Sequence, residues 1–359
     1  MENIGAESNK IFLGTHKDKK VYLDMGKNAN GHMLITGSTG TGKTNFLKNY
    51  MGELKEHQIV ILDYSGSYGG LKDAKWVNAT ETAELLNFFE DYTDETMGVL
   101  ADAIQGAFRF GLSQRATIIR ALSKMMKPLK QEELSAETED NFFRKYLRFD
   151  NGIARKDWAL FTYLLSCKCE SKGEQLASRM VEIVVHLSGK EVIQEHSDDK
   201  SGILIVGFSV EYSGVNAQLV ELYLWKRWLE QVKNEKKITL VLDECQDLNW
   251  KKGSISERLL SEGRKFGISI ILSTQFLVKN FPERVITSFT QSGFRVIFQP
   301  PEMEVKDIAK MLDSSSWKNY VGKLRNLRVG SCFVCGVLYL DERLSRQKLE
   351  IRVPEYNEK

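Results

Sequence analysis

Residues 31–44 read Gly-His-Met-Leu-Ile-Thr-Gly-Ser-Thr-Gly-Thr-Gly-Lys-Thr, and no other stretch restricts the fold so tightly. A short apolar run ends in a glycine-rich turn, and an amphipathic pattern follows. Gly37, Gly42, Lys43 and Thr44 complete the spacing G-x-x-x-x-G-K-[ST]. Gly37, Gly40 and Gly42 permit backbone angles that a side chain would forbid, so successive N–H groups can converge on an anion. The N-terminus of the following helix adds unpaired N–H groups and a positive dipole end. Lys43 is placed to reach the β- and γ-phosphates of a nucleotide, and the Thr44 hydroxyl to ligate Mg2+. The candidate cradle comprises Gly37, Ser38, Thr39, Gly40, Thr41, Gly42, Lys43, Thr44 and Asn45. The plain alternative is a glycine turn beside a surface lysine. The flanks oppose it: 33–36 reads as a buried strand, and Phe46, Leu47, Tyr50, Met51 and Leu54 recur at helical spacing.

A second acidic element is needed for metal and water chemistry, and residues 237–244 supply it. Lys-Ile-Thr-Leu-Val-Leu-Asp-Glu is an apolar strand ending in Asp243-Glu244, the form of a Walker B strand. Asp243 is expected to hold Mg2+, and Glu244 to orient and deprotonate the water that attacks the γ-phosphate. The next apolar run, 267–273, leads to Gln275, where an amide at a strand tip can sense that phosphate or its water. Before it lies Glu262-Gly263-Arg264-Lys265-Phe266-Gly267. Arg264 there reads either as part of a helix end or as an arginine supplied to a neighbour's ATP.

Between these elements the strand–helix rhythm breaks. Helical patterns appear at 80–92, 113–126, 140–147, 156–167 and 173–187, read as an insertion between two strands of one sheet. Arg115, Arg120 and Lys124 share one of these helices, where a solvated face is the simpler reading than a polyanion site. The strand pattern returns at 202–208, followed by a long helix over 215–234, and two later strands at 293–298 and 330–340. A hairpin over 10–14 and 21–24, turning at Lys17, Lys19 and Lys20, is too small for a domain and is expected at an edge of the sheet. The boundaries that follow are 1–80 (hairpin and first part of the core), 81–200 (helical insertion), 201–345 (rest of the core) and 346–359 (a tail). Asp63, at the end of the apolar run 58–63, reads equally as a metal-facing carboxylate or as a strand-terminating turn.

Composition sets limits on partners. The 359 residues carry a formal net charge of +2, so no global basic field advertises nucleic acid. A DNA-binding surface has to be a local patch or a ring made by assembly. No apolar run approaches the ~20 residues of a membrane span, and the first residues lack a signal segment. The expectation is a cytoplasmic protein with no membrane partner. Five cysteines, an odd number, fit a reducing compartment better than a disulfide framework. Cys167-x-Cys169 and Cys332-x-x-Cys335 invite a zinc reading, but the second pair lies in an apolar strand pattern, where cysteine is a small hydrophobe.

Taken together, the glycine loop at 31–44, Val241-Leu242-Asp243-Glu244 and the run from Glu262 to Gln275 resemble the HerA/FtsK superfamily of ring-forming DNA-pumping ATPases, the HerA branch most closely. The segment 63–70 also looks like that family's Asp-x-x-Gly-acidic-Tyr element, with Ser67 in the acidic position. The resemblance spans 11–80 and 200–340. It implies an α/β, RecA-like P-loop fold with a mainly parallel central sheet flanked by helices. It also implies ATP and Mg2+ as cofactors, a hexamer with ATP between subunits, and loops gripping double-stranded DNA. Glu244, Gln275 and Arg264 then stand as catalytic candidates, Arg264 acting in trans with Arg284 and Arg295 as rivals; Thr44 and Asp243 stand as metal ligands. The usual N-terminal β-barrel has no counterpart in some thirty residues. The resulting expectation is a double-stranded DNA translocase or helicase motor working with a nuclease or other effector, in end processing or anti-phage defence. A regulatory NTPase ring that scaffolds an effector, and a conjugative transfer or packaging motor, are the alternatives. Pore-facing contacts are sought at 249–254, with Lys251 and Lys252, and in the insertion.

Overall fold

The computed structural model describes residues 10–24, 31–54, 58–90, 93–133, 141–193, 202–208, 213–234 and 236–357. The chain opens with the hairpin β1 (Lys10–His16) and β2 (Lys19–Asp24). Its two turn residues, Lys17 and Asp18, both have positive φ, the backbone twist that two-residue hairpins favour. Then come β3 (Met33–Thr36), α1 (Lys43–Glu53), β4 (Gln58–Asp63) and β5 (Ala74–Asn78). Helices α2 (Ala83–Leu86), α3 (Met97–Ala107), α4 (Leu112–Met125) and α5 (Asn141–Tyr146) follow. A minor hairpin, β6 (Phe149–Asp150) and β7 (Ile153–Ala154), precedes α6 (Trp158–Lys168), α7 (Glu170–Ser178) and α8 (Val181–Leu187).

The main sheet resumes with β8 (Ile203–Gly207), α9 (Ser213–Asn234), β9 (Ile238–Leu242), α10 (Ile255–Glu262) and β10 (Ile268–Thr274). It is completed by α11 (Glu283–Thr290), β11 (Phe294–Ile297), α12 (Val305–Leu312) and α13 (Lys318–Arg325). The last strands are β12 (Ser331–Cys335), β13 (Leu338–Leu340), β14 (Arg343–Ser345) and β15 (Leu349–Arg352).

One sheet runs in the order β14-β13-β2-β1-β15-β12-β11-β3-β10-β9-β4-β8-β5. From β11 to β5 every neighbouring pair is parallel; from β11 to β14 every pair is antiparallel. The central parallel strands are buried along nearly their whole length, as a sheet covered on both faces requires. Period-two alternation divides them between two apolar clusters. Leu34, Leu62, Leu242 and Leu272 face a cluster shared with the insertion helices and α9. Met33, Ile35, Ile61 and Ile271 face one shared with α1 and the antiparallel strands.

Several elements differ from what the residues suggested. Helix α3 escaped notice because its sequence, Met-Gly-Val-Leu-Ala-Asp-Ala-Ile-Gln-Gly-Ala, blurs the apolar stripe with glycine and alanine. Those small residues allow close packing: a Cβ on Gly106 would stand 3.0 Å from Glu221 Oε1 of α9. The strand pattern over 330–340 breaks into β12 and β13 at Gly336, whose φ is 156°. Cys332 and Cys335 are three residues apart on β12, so they point to opposite faces and into different apolar clusters. Residues 346–359, read as a tail, contain β15, which lies inside the sheet between β1 and β12. Its alternation Leu-Glu-Ile-Arg was too short to stand out.

Candidate functional site: the nucleotide cradle

The parallel strands bring their carboxyl ends to one edge, and the glycine loop leaves β3 there. Gly37, Gly40 and Gly42 all have positive φ, at 152°, 76° and 114°. At Gly37 a Cβ would lie 2.5 Å from Phe298 Cβ, whereas at Gly40 it would meet nothing. Gly37 therefore answers to packing and turn together, Gly40 to backbone angle alone. Gly42 caps α1 without any side-chain hydrogen bond, and no acid occupies the first turn. The first amides of the helix are thus left for an outside acceptor.

Lys43 is buried and folds its ammonium back into the loop, donating to Gly37 O at 2.7 Å and Ser38 O at 3.1 Å. Burial lowers its pKa, and the charges of Glu244 and Asp243 oppose that fall. Thr44 sits half-buried on the first turn. Asn45 can serve the cradle through its backbone alone. Its side chain turns from the loop to the C-terminal segment, donating to Pro354 O at 2.8 Å and accepting from the Tyr356 N–H at 2.8 Å. Only its backbone remains for a phosphate.

Asp243 ends β9 and is buried. Burial raises its pKa, against hydrogen bonding that favours the charged form. Tyr68, fully buried, donates its hydroxyl to Asp243 Oδ2 at 2.9 Å. Asp63 behaves as a turn residue: its carboxylate accepts the backbone N–H groups of Ser65, Ser67 and Tyr68 at 3.1–3.2 Å. Segment 63–70 thus meets the acidic centre through Tyr68, a contact that only the fold could reveal.

Glu244 has a left-handed backbone, φ 46°, uncommon for a residue with a side chain. Both its oxygens are occupied. Gln275 Nε2 donates to Oε1 at 2.8 Å, and Gln246 Nε2 donates to Oε2 at 2.6 Å. Gln275 Oε1 in turn accepts the Thr39 hydroxyl at 2.8 Å, and Gln246 Oε1 accepts the Thr274 hydroxyl at 2.9 Å. A chain of polar contacts therefore joins the tip of the glycine loop to the end of β9 and both sides of the β10 tip. Glu304, buried immediately before α12, clamps the loop after Gln275 by accepting the N–H groups of Leu277, Val278 and Lys279 at 2.8–2.9 Å. Gln246 and Glu304 carried no spacing signal in the sequence, and Tyr68 was marked only as the tyrosine of the 63–70 element.

Arg264 is elsewhere. It sits exposed in the turn Gly263–Phe266 before β10, at the amino end of the strand whose carboxyl end carries Gln275. The two are separated by the length of seven residues, roughly 20 Å at about 3.3 Å per residue. Arg284 is engaged by Glu257 at 2.6 Å and Trp250 O at 2.6 Å, and Arg295 contacts Met311 O at 3.4 Å. None of the three reaches the cradle of its own chain.

A converging amide loop, a buried ammonium, a hydroxyl on the first helical turn and an acidic strand end define a P-loop nucleoside triphosphatase, and the donor set fits ATP with Mg2+. Residues 11–149, which carry the loop, match the family described as helicase HerA, central domain. Over those residues the chain is similar to that family. Its architecture is similar to that of VirB4 of Thermoanaerobacter pseudethanolicus, with 14% identity over 99% of this chain and 98% of that chain and a TM-score of 0.65. It is also similar to the bacterial conjugative coupling protein TrwBΔN70, with 14% identity, coverage of 99% and 96%, and a TM-score of 0.61. Plasmid coupling protein TrwB in complex with ADP and Mg2+ gives 15% identity, coverage of 99% and 97%, and a TM-score of 0.61. No curated protein matches the sequence. No helix among the described residues is long and apolar enough to cross a membrane.

Proposed function

We propose that the chain is an ATP-driven motor on double-stranded DNA, assembled as a hexameric ring and working with a nuclease or other effector in end processing or anti-phage defence. The observation that carries this reading is Glu244, held between two amides beside the buried Lys43. A carboxylate fixed at the tip of β9 suits activation of water once one of its two amide contacts gives way, since it can then accept a proton without moving a strand. The HerA description of the matching family supports DNA as the track. The coupling-protein likeness keeps a DNA-transfer motor as the variant reading of the same site.

ATP with Mg2+, when bound, supplies the phosphoryl group and the metal's charge at the leaving oxygens. Lys43 exchanges the Gly37 and Ser38 carbonyls for phosphate oxygens, and the amides of 39, 40 and 42–44 complete the cradle, those of Gly37 and Ser38 being bonded to Thr274 O and Gln299 O. Thr44 and Asp243 would hold the metal, with Tyr68 fixing the Asp243 carboxylate. Glu244 takes the proton of the attacking water, and Gln275 orients that water while bonded to the loop through Thr39. Arg264 serves the neighbouring subunit's site, since it lies far from its own. An inactive Lys43→Ala chain mixed with an inactive Arg264→Ala chain should then regain part of the turnover; no recovery at any ratio removes Arg264 from the role.

The reading is tested by ATP hydrolysis with and without linear duplex DNA across a salt series, with the mass in solution recorded. Turnover that rises with duplex, falls with salt and tracks a ring-sized assembly is expected. Turnover indifferent to DNA would instead favour a regulatory ring that scaffolds its effector, a reading that the net charge of +2 supports.

A further inference from the structure

The segment that follows Glu244 leads from the phosphate site into a cleft of about 400 Å3. Its walls come from three separate parts of the chain: Arg109 just after α3, Gln246 and residues 248–252 after β9, and Asn280, Pro282 and Arg284 at the start of α11. Four of its lining side chains are cationic, Arg109, Lys251, Lys252 and Arg284, and no carboxylate lines it. In a chain of net charge +2 this is a concentrated basic site.

The cleft is braced rather than loose. Glu257 accepts from Arg284 Nε and from the Gly253 N–H, both at 2.6 Å, and Arg284 also donates to Trp250 O. The Trp250 indole donates to Cys245 O at 2.7 Å. These contacts hold 250–253 in place while the Lys251 and Lys252 side chains stand exposed. Arg109 has φ 52°, a left-handed conformation that costs about 1–3 kcal/mol outside glycine and gathers at working sites.

Gln246 belongs to both places. It lines the cleft, and its amide holds one oxygen of Glu244 while its carbonyl takes the Thr274 hydroxyl. An anion in the cleft competes for that amide N–H, because a phosphate oxygen can only accept. We infer that the cleft binds the sugar–phosphate backbone of nucleic acid and that this contact draws Gln246 from Glu244, freeing the carboxylate to take its proton. The inference rests on the reading of the chain as a DNA-dependent ATPase, and it supplies the contact and the coupling residue. Contacts of this kind read charge and not base sequence. Gln246 is a positioning residue: it acts on the reaction through Glu244.

The test uses the full chain with a short linear duplex of mixed sequence, read by ATP turnover and by fluorescence anisotropy over a salt series. Lys251→Ala with Lys252→Ala should weaken duplex binding and lower the slope of log affinity against log salt by about 2, at roughly 0.9 per phosphate contact. Gln246→Ala should raise duplex-free turnover by about 2- to 10-fold, the worth of one released hydrogen bond, and leave little further gain on adding duplex. Turnover lost by Gln246→Ala both with and without duplex would overturn the coupling. An unchanged salt slope in the double lysine variant would overturn the cleft. So would a raised KM for ATP with duplex binding intact, which would assign the cleft to a neighbour's nucleotide. A wild type indifferent to duplex places the failure in the underlying DNA reading, whereas a responsive wild type with unresponsive variants places it in this inference alone.

Discussion

In the parallel half of the sheet, from β11 to β5, every strand brings its carboxyl end to one edge; in the antiparallel half, from β12 to β14, neighbouring ends alternate. The first arrangement gathers side chains from β3, β4, β9 and β10 around one point. Thr39, Tyr68, Asp243, Glu244 and Gln275 meet there although they are up to 236 residues apart. The second arrangement cannot gather strand ends, and it contributes support instead. Its Gly330 N–H donates to Thr41 O at 2.9 Å, and its backbone lies close under Gly42. Pro354, just beyond β15, accepts from both Asn45 and Asn49 of α1. Chemistry therefore sits in one half, and the cradle is backed by the other.

Substitutions can break or sharpen that division. Among the residues that support Glu244, the largest effect is expected at Gln275, which links Glu244 to Thr39. Gln275→Ala should lower turnover by about 10- to 100-fold, of the order that loss of one positioned contact costs, with the KM for ATP little changed. A KM effect alone would move Gln275 from the reaction to binding.

A pH effect should come from His32, at the amino end of β3. The ring is buried and accepts the Ile270 N–H at 3.1 Å, joining β3 to β10. Burial lowers its pKa to about 4 from 6.5, the Arg264 charge acting in the same direction. The folded state therefore prefers the neutral ring. Its contribution is fully present above pH 6.5 and is lost as pH falls toward 4, on the order of 3 kcal/mol across that window at 1.36 kcal/mol per pKa unit. Thermal melts between pH 7 and pH 4 should show this slope in the wild type and a shallower one in His32→Asn. Identical slopes would deny the ring any part in it.

The smallest effect is expected in the supporting half. Asn49→Ala removes one hydrogen bond to Pro354 and should cost about 1 kcal/mol in a melt, with turnover within about threefold of wild type. A hundredfold loss of turnover would show that the antiparallel half takes part in the reaction.

The same division explains what could be read in advance. The parallel strands β3, β4 and β9 are short apolar runs ending in glycine or acid, and their residues stand out without a fold. The antiparallel strands β14 and β15 are three and four residues long and half polar, so their alternation is lost among turn residues. At the site, Lys43, Thr44, Asp243 and Glu244 were legible because each sits in a contiguous motif. Gln246 and Glu304 were not, because nothing local in the sequence announces the partners that the fold brings to them, and Tyr68 stood out only through the family resemblance of 63–70. Asn45 follows the motif directly, but its side chain is spent on Pro354 and Tyr356, which leaves the cradle its backbone.

The division also fixes the decisive measurement. Glu244→Gln keeps the size of the side chain and one of its two accepted hydrogen bonds but cannot take a proton, so nucleotide binding and turnover should separate. Titration of the variant with a fluorescent ATP analogue should give an affinity within a few fold of wild type, while ATP turnover falls by about 100- to 10,000-fold. Turnover near the wild-type rate would contradict Glu244 as the proton acceptor. Loss of binding together with turnover would contradict the separation of cradle and base on which the mechanism depends.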